Sequence, residues 1–491
     1  MRKVLKIQCC TILFLGLFYS FLLAKNSAFQ KRFEEETLVK VDNRVMTVGE
    51  FLQRSELMVR PLRFKGKDIT LNNLIVEKVL AIEAEKRGEV VLQQRNFLQG
   101  IKEQAMRLRL QQDIMKKAKV DSVEVAKSYR LSNREYEVDF FRVRGTKTAN
   151  EIKALLDTMP ELSDEMFKRV REILGKEPRH KVNYFDPDDN AIHKALFSEL
   201  LDVGTVIGPV ALQNGEYIVM RVRDWKDRVI FGGEEEVERW NKVEKKMLKI
   251  KGEELWRQYQ LNVMKGKKLK FNKEVFDFLA SKAMEYYLRH GGETDSVTMQ
   301  FKMGENSFVG LEVNEETPFF TIDDKVWTVG DFKKEVLVHP LLYRTTNLDT
   351  SNFRREFRNA IIDLVRDHYL TKEAYKRKLD KDSFVTSTVQ MWKDSFLASA
   401  EVDYILGKGA EQGKFQWGNN VEKLNYWDSY LANLLKKYSD KISINFEIFD
   451  KVNLNKIDMV AWYTGAPYPI IVPRFPFFYD SSDLSYVKNK P

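Results

Sequence analysis

Apolar positions along the chain fall into two registers, one near 3.6 residues over long stretches and one near 2 over short ones. The longer period governs residues 71–86, where Leu74, Ile75, Val79 and Ile82 share a stripe and Gly88 follows as a stop. It predicts a further helix over 96–119. It also predicts a long one over 234–264, in which Val243, Met247, Ile250 and Leu255 recur at helical spacing. Short β-elements are expected at 39–48 and 319–329. There Thr47 and Thr328 are placed to cap helices beginning near Glu50 and Asp331, where an acid favours the helix N-terminus. Extended pieces are expected at 269–271 and 442–444, and residues 281–317 read as a connector. From Ala461 onward, Pro467, Pro469, Pro473 and Pro476 stand among aromatics, which predicts an extended tail.

Several of these pieces occur twice. RVMTVGEF at 44–51 matches KVWTVGDF at 325–332 at an offset of 281, with Pro61 and Pro340 following. LAIEAEKR at 80–87 matches LTKEAYKR at 370–377 at an offset of 290, which runs without a gap to DIM at 113–115 and DYI at 403–405. The offset then falls to 171 for WRQY at 256–259 against WDSY at 427–430. It is 173 for LKFNKEVFD at 269–277 against ISINFEIFD at 442–450. Four blocks in one order predict a duplication. The fall from 290 to 173 leaves 117 residues carried by the first copy alone, a domain inserted between 115 and 256.

The inserted stretch has its own pattern. A strand at 136–143 is followed by helices at 149–159 and 163–175, the second capped by Ser163, then a short strand at 182–185. An amphipathic helix at 191–201 leads through a turn into an edge strand at 203–210. Asn214 and Gly215 give a hairpin signal, and a strand returns at 217–222. The order β-α-α-β-α-β-β is that of a small α+β domain. The fold class is therefore α+β multidomain, with mainly helical modules and one inserted β-α-α-β-α-β-β domain.

Residues 195–222, ALFSELLDVGTVIGPVALQNGEYIVMRV, resemble the parvulin-type peptidyl-prolyl isomerase pattern of an A-x-F-x-L helix, G-x-V-S-x-P-V, a glycine turn and a closing strand. The flanking repeat is similar to the chaperone domain of the SurA/PpiD/PrsA group. Its entry and second helix correspond to residues 41–51 and 74–88 here. After a signal peptide at 1–24, the resemblance implies a first helical chaperone module at 36–134 and 227–280, and a parvulin-like domain at 135–226. A connector at 281–317, a second, isomerase-free module at 318–452 and a tail at 453–491 complete the division.

Rotating an X-Pro bond crosses a barrier of roughly 18–20 kcal/mol and needs neither nucleophile nor metal. It needs an apolar slot for the ring and groups that favour the twisted amide. The family uses two histidines at the base of the sheet. Here the matching positions fall on Phe140 or Phe141 of the opening strand and on Ile218 of the closing strand, so the catalytic groups are not identified. An apolar slot from Ile192, Leu196, Phe197, Leu201, Ile218 and Met220 is one reading of that region; ordinary core residues are the other. His180 and His193 lie in the domain but away from the family positions, and they read as surface residues.

Composition narrows the rest. Hydrophobic residues make up 43% and charged residues 31%, enough to build cores under a charged surface. The apolar run at 9–24 follows Arg2, Lys3 and Lys6, the pattern of a secretory signal with a cut after Ala24; an uncleaved anchor is the alternative. No second run approaches the ~20 residues of a membrane helix. Cys9 and Cys10 both fall in this segment, so the mature chain would have no disulfide, thiol nucleophile or zinc–thiolate site. The net charge of +9 comes from 81 basic and 72 acidic residues interspersed along the chain, a mixed surface rather than a nucleic-acid stripe. The five histidines have no metal-ligand spacing, the Gly pairs at 232–233 and 291–292 lack the Lys-Ser/Thr of a phosphate loop, and no G-x-S-x-G elbow appears. No metal and no cofactor are expected.

The resulting expectation is a periplasmic folding factor that holds unfolded or nascent envelope and outer-membrane proteins. It would touch the membrane only through its signal or anchor, and its isomerase domain would be catalytically degenerate. An active prolyl isomerase is the second reading. A structural or assembly subunit that binds one dedicated partner, through the aromatic tail, is the third.

Overall fold

The computed structural model describes residues 33–487 except 90–93, 175–178, 187–188, 213–214, 229–232, 291–312, 346–347, 456–458 and 464. The signal or anchor expected at 1–24, both cysteines, most of the connector and Asn214 lie outside the described residues. Among the described residues no helix is long and apolar enough to cross a membrane.

Along the chain run β1 (Thr37–Val41), β2 (Arg44–Thr47), α1 (Val48–Glu56), α2 (Lys67–Lys86), α3 (Arg95–Met115) and α4 (Ser122–Leu131). Then come β3 (Arg134–Arg144), α5 (Thr146–Thr158), α6 (Leu162–Leu174), β4 (Arg179–Asn183), α7 (Asn190–Phe197), β5 (Val206–Ala211), β6 (Glu216–Asp227) and α8 (Gly233–Met264). The remainder is β7 (Lys270–Phe271), α9 (Lys273–His290), β8 (Pro318–Ile322), β9 (Lys325–Thr328), α10 (Val329–Val338), α11 (Phe353–Lys376), α12 (Ser383–Glu411), α13 (Asn420–Tyr438), β10 (Ile442–Ile444) and α14 (Phe446–Lys451). The architecture is α+β, predominantly helical with three small sheets, as the patterning predicts.

Two compact units divide the chain, one of residues 1–110 with 266–491 and the other of 111–265. The division differs from the expected one. The second unit takes in α4 and α8, which the sequence reading assigned to the first helical module, because α8 packs along α4.

In the first unit the hairpins β1–β2 and β8–β9 share one register. Thr37↔Thr47 and Val41↔Arg44 recur 281 residues on as Pro318↔Thr328 and Ile322↔Lys325, each with a bulge near the open end. Thr47 caps α1 by accepting the Glu50 N–H, and Thr328 caps α10 by accepting the Asp331 N–H. Neither hairpin is closed by the strand of its own repeat. β7 pairs with β8 through Lys270↔Thr321 and Phe271↔Phe320, while β10 pairs with β1 through Lys40↔Ser443 and Val39↔Ile444. At the offsets of the sequence blocks these are the same pairs, so each sheet takes its hairpin from one repeat and its third strand from the other. The caps that follow are matched too. The Asn272 N–H donates to the Phe319 carbonyl at 2.8 Å and the Asn445 N–H to the Leu38 carbonyl at 2.9 Å.

Helix α2 is not the one-sided amphipathic helix that its stripe predicts. Asn72, Asn73, Glu77 and Lys78 are buried along with Leu74, Ile75 and Val79, which makes α2 a central helix with its polar groups paired inward. Glu77 accepts both terminal nitrogens of Arg54, at 2.7 and 2.8 Å, with both side chains buried. Lys78 donates to Glu50 at 2.7 Å and lies 3.5 Å from Asp394, which also accepts Arg44 at 2.9 Å.

Three helices end where the patterning does not place them. The one expected over 96–119 stops at Met115, and Asp121 then starts α4 with a capping box shared with Glu124. The helix expected to end at 201 stops at Phe197, because the Leu201 N–H turns to the Tyr136 hydroxyl at 3.0 Å. In the other direction, α9 runs on through 281–290, residues expected to be connector, because Phe276, Leu279 and Ala283 continue a buried stripe.

The tail is extended, as expected, with a single antiparallel bridge between Trp462 and Ile470. Its Tyr468, Val472, Phe475 and Val487 are buried in the cores of the first unit.

Candidate functional site

The second unit carries an antiparallel sheet in the order β4-β3-β6-β5, built by the predicted succession β-α-α-β-α-β-β. The pleat sends alternate residues of the two central strands to opposite faces. Tyr136, Val138 and Phe140 of β3 join Ile218, Met220 and Val222 of β6 on one face, covered by α7 through Ile192, Leu196 and Phe197. Val125 and Tyr129 of α4 and Trp240, Val243 and Met247 of α8 pack into the same cluster. Phe141, Val143, Tyr217 and Val219 occupy the opposite face, beneath Ala149, Ile152 and Phe167 of α5 and α6.

The six residues read as a slot are thus brought together, but as core. Leu196 and Met220 are essentially inaccessible, Phe197, Leu201 and Ile218 are buried, and only Ile192 is half-buried. A side chain without accessible surface cannot receive a proline ring until something moves. What this face leaves open is its rim: Phe140, Ile192, Ile207, Val210 and Leu212 are half-buried, with Leu200 and Val203 exposed beyond them. Of the two opening-strand positions considered for a family histidine, Phe140 shares the face of Ile218. Phe141 lies on the other face, with its ring 5.2 Å from that of Phe167.

His193, expected on the surface, is buried on α7, whereas His180 is exposed. The His193 ring meets Tyr184 edge-on at 4.6 Å and Phe197 at 5.2 Å. Burial, reinforced by the charge of Lys246 and opposed by a hydrogen bond the ring donates to the Tyr184 backbone, pushes its pKa down to about 4. The ring is therefore neutral at physiological pH and packs as an aromatic.

The opposite face holds an ionic cluster that the sequence reading did not single out. The buried Asp139 carboxylate faces three guanidinium groups, Arg221 at 3.0 Å, Arg223 at 3.3 Å and Arg179 at 3.7 Å. Arg221 also pairs with Asp164 and lies over the Phe167 ring at 4.5 Å. The only signal in the sequence was alternation of charge with apolar residues along β3 and β6, which a solvent-facing strand would show equally. Among the described residues, no group of three or more His, Cys, Asp or Glu side chains converges to hold a metal ion.

With this geometry in place, the chain can be set beside known proteins. Among solved structures it is similar to the peptidylprolyl isomerase PrsA from Bacillus cereus, at 17% identity, covering 47% of this chain and 92% of that one with a TM-score of 0.19. It is also similar to the foldase protein PrsA from Streptococcus pneumoniae, at 11% identity, covering 45% of this chain and 90% of that one with a TM-score of 0.19. Values this low carry neither a residue correspondence nor an activity across. No family model matches the chain, and no curated protein sequence matches it.

Proposed function

We propose that this chain is an exported, periplasmic folding factor that holds unfolded envelope proteins, with a parvulin-type domain that has lost its catalytic groups. On this reading the chain comprises a first module at 36–134 and 227–280, a domain inserted at 135–226 and a second module at 318–452. The client is any polypeptide with exposed apolar segments, held without ATP.

The observation that carries the reading is the chemistry of one sheet face. Phe140 and Ile218, which the resemblance sets at the histidine positions, lie together and neither offers a side-chain donor or acceptor. His193, on the helix that covers that face, is buried and held neutral, and His180 lies at the exposed edge strand opposite Val138. The apolar rim at Phe140, Ile192, Ile207, Val210 and Leu212 supports weak, shape-dependent contact with an apolar segment of a client.

The test pairs two assays on the full chain. Isomerisation of a proline tetrapeptide should run at the uncatalysed rate, while aggregation of a diluted, unfolded outer-membrane protein should be suppressed at stoichiometric concentration. Robust isomerisation, lost on changing Phe140 or Ile218, would replace this reading with an active isomerase. Absence of suppression would remove the holding role.

A further inference from the structure

The tail of the chain lies in a trough on α2 and α13, and the way it is held is informative. Asn73 of α2 accepts the N–H groups of Phe478 and Tyr479, both at 2.9 Å, and donates to the Tyr479 carbonyl at 2.7 Å. Its neighbour Asn72 donates to the Ser481 carbonyl at 2.8 Å and accepts the Tyr486 hydroxyl at 2.7 Å. Trp427 of α13 donates its indole N–H to the Phe478 carbonyl at 2.6 Å, and Arg54 donates to the Arg474 carbonyl at 3.2 Å. Four side chains therefore read the backbone of an extended segment. Most of these contacts need only a peptide group, and two of them need a residue other than proline at the positions of Phe478 and Tyr479.

Side chains are taken up at both ends of the segment, Phe475 at one and Tyr486 and Val487 at the other. Phe475 is buried, its ring tilted against Phe64 at 6.4 Å, while Arg474, Phe477 and Asp480 are exposed. Asn72 and Asn73 have no accessible surface while the tail is in place, and removing it would open them and the apolar groups packed beneath the tail to water. The middle of the segment is thus held chiefly through its backbone, with apolar side chains anchoring its two ends.

We propose that this trough is a binding site for extended polypeptide and that residues 474–487 are its resident occupant, exchangeable for a segment of another chain. The ligand class is an unstructured segment with one aromatic residue followed, three and four positions on, by two residues other than proline and, further on, by an apolar anchor. The inference deepens the holding role, since it says where a client segment would lie, and it rests on that reading for its biological meaning only.

The experiment uses the full-length chain and a fluorescent peptide with the sequence of residues 474–487. A tethered tail competes at an effective concentration on the order of millimolar, so the unaltered protein should bind the peptide weakly. Phe478→Pro with Tyr479→Pro removes both N–H groups that Asn73 accepts and leaves the trough intact. This variant should bind the peptide at least tenfold more tightly, and adding Asn73→Leu should abolish the gain. A folded variant with no gain overturns the proposal. So does a variant that loses its fold, which would make the tail a structural part of the unit. Hydrogen exchange on the unaltered chain gives a second reading: the Phe478 and Tyr479 amides should exchange faster than those of α2, and exchange of both segments only together would overturn the proposal. Aggregation suppression measured alongside separates the two ideas, because suppression without peptide binding removes the trough alone and loss of both removes the holding role as well.

Discussion

His193 makes the sharpest physical test of the second unit. Its imidazole is buried against Tyr184 and Phe197 with the ammonium of Lys246 close enough to oppose a second positive charge. The native state therefore keeps the ring neutral down to a pKa of about 4, while an unfolded chain protonates it near 6.5. Between those values the unfolded state binds more protons, so stability falls as pH falls and levels off below about 4. Linkage gives almost no penalty at pH 7.5 and about 2 kcal/mol at pH 5. His193→Phe keeps an aromatic ring between Tyr184 and Phe197 and removes the titration. Hydrogen exchange of peptides from β3 and β6, corrected for intrinsic rates, should show the opening free energy of the natural protein dropping between pH 7.5 and 5 by about 2 kcal/mol more than that of the variant. Equal drops in the two proteins, or an imidazole that titrates near 6.5 by nuclear magnetic resonance, would refute the reasoning.

In the first unit, Glu77→Gln leaves the Arg54 guanidinium buried without its carboxylate and should cost about 3–5 kcal/mol in chemical denaturation, whereas replacing both partners by apolar residues should cost much less. Gly100→Ala should destabilise by about 1–3 kcal/mol in the same measurement, because an added methyl group meets the Tyr468 ring and the Val338 carbonyl, both fixed by their own hydrogen bond. Phe140→His with Ile218→His places two imidazoles on one sheet face. It should lift proline isomerisation above background, since a single positioned donor is worth about 10²–10³ in rate. A flat rate in a folded variant would show that more than histidines is missing.

Local patterning made much of the fold legible, and it failed where tertiary contacts decide. The short β-elements, their threonine caps and the β-α-α-β-α-β-β order follow from period, cap chemistry and turn residues, which act within a few positions. The strand exchange could not be read, because KF at 270–271 and ISI at 442–444 look the same whichever hairpin they close. The role of α2 was half visible. Its apolar stripe was clear, but the stripe says nothing of Asn72, Asn73, Glu77 and Lys78, which only their three-dimensional partners turn into buried, paired groups. An adjacent pair of asparagines inside an apolar helical run was the available clue. At the candidate site, alternation correctly grouped Ile218 with Met220, yet it does not tell a lined slot from a filled core. That distinction depends on how closely α4, α7 and α8 approach the sheet, which no spacing records.

The exchange of third strands has a consequence for the order in which the molecule forms. A two-stranded hairpin is marginal in water, and an unpaired edge invites pairing with other chains. β1 and β2 are made early but wait for β10 at Ile442–Ile444, almost the whole length of the chain away, and the trough on α2 waits longer still for residues 474–487. The four-stranded sheet of the second unit, by contrast, closes entirely within 111–265. Long-range pairings pay their loop-closure entropy before any contact rewards them, so the second unit is expected to fold first and the β1–β10 pairing to come late. Pulse-labelled hydrogen exchange during refolding should find β3 and β6 amides protected before those of Lys40 and Asp42, the residues whose backbone faces β10, Asp42 donating to the Lys441 carbonyl at 2.9 Å. Protection of β1 ahead of β3 would mean that the hairpin is held by something other than its exchanged strand. If the expected order holds, a chain part-way through folding carries an open sheet edge at β1 until β10 pairs with it.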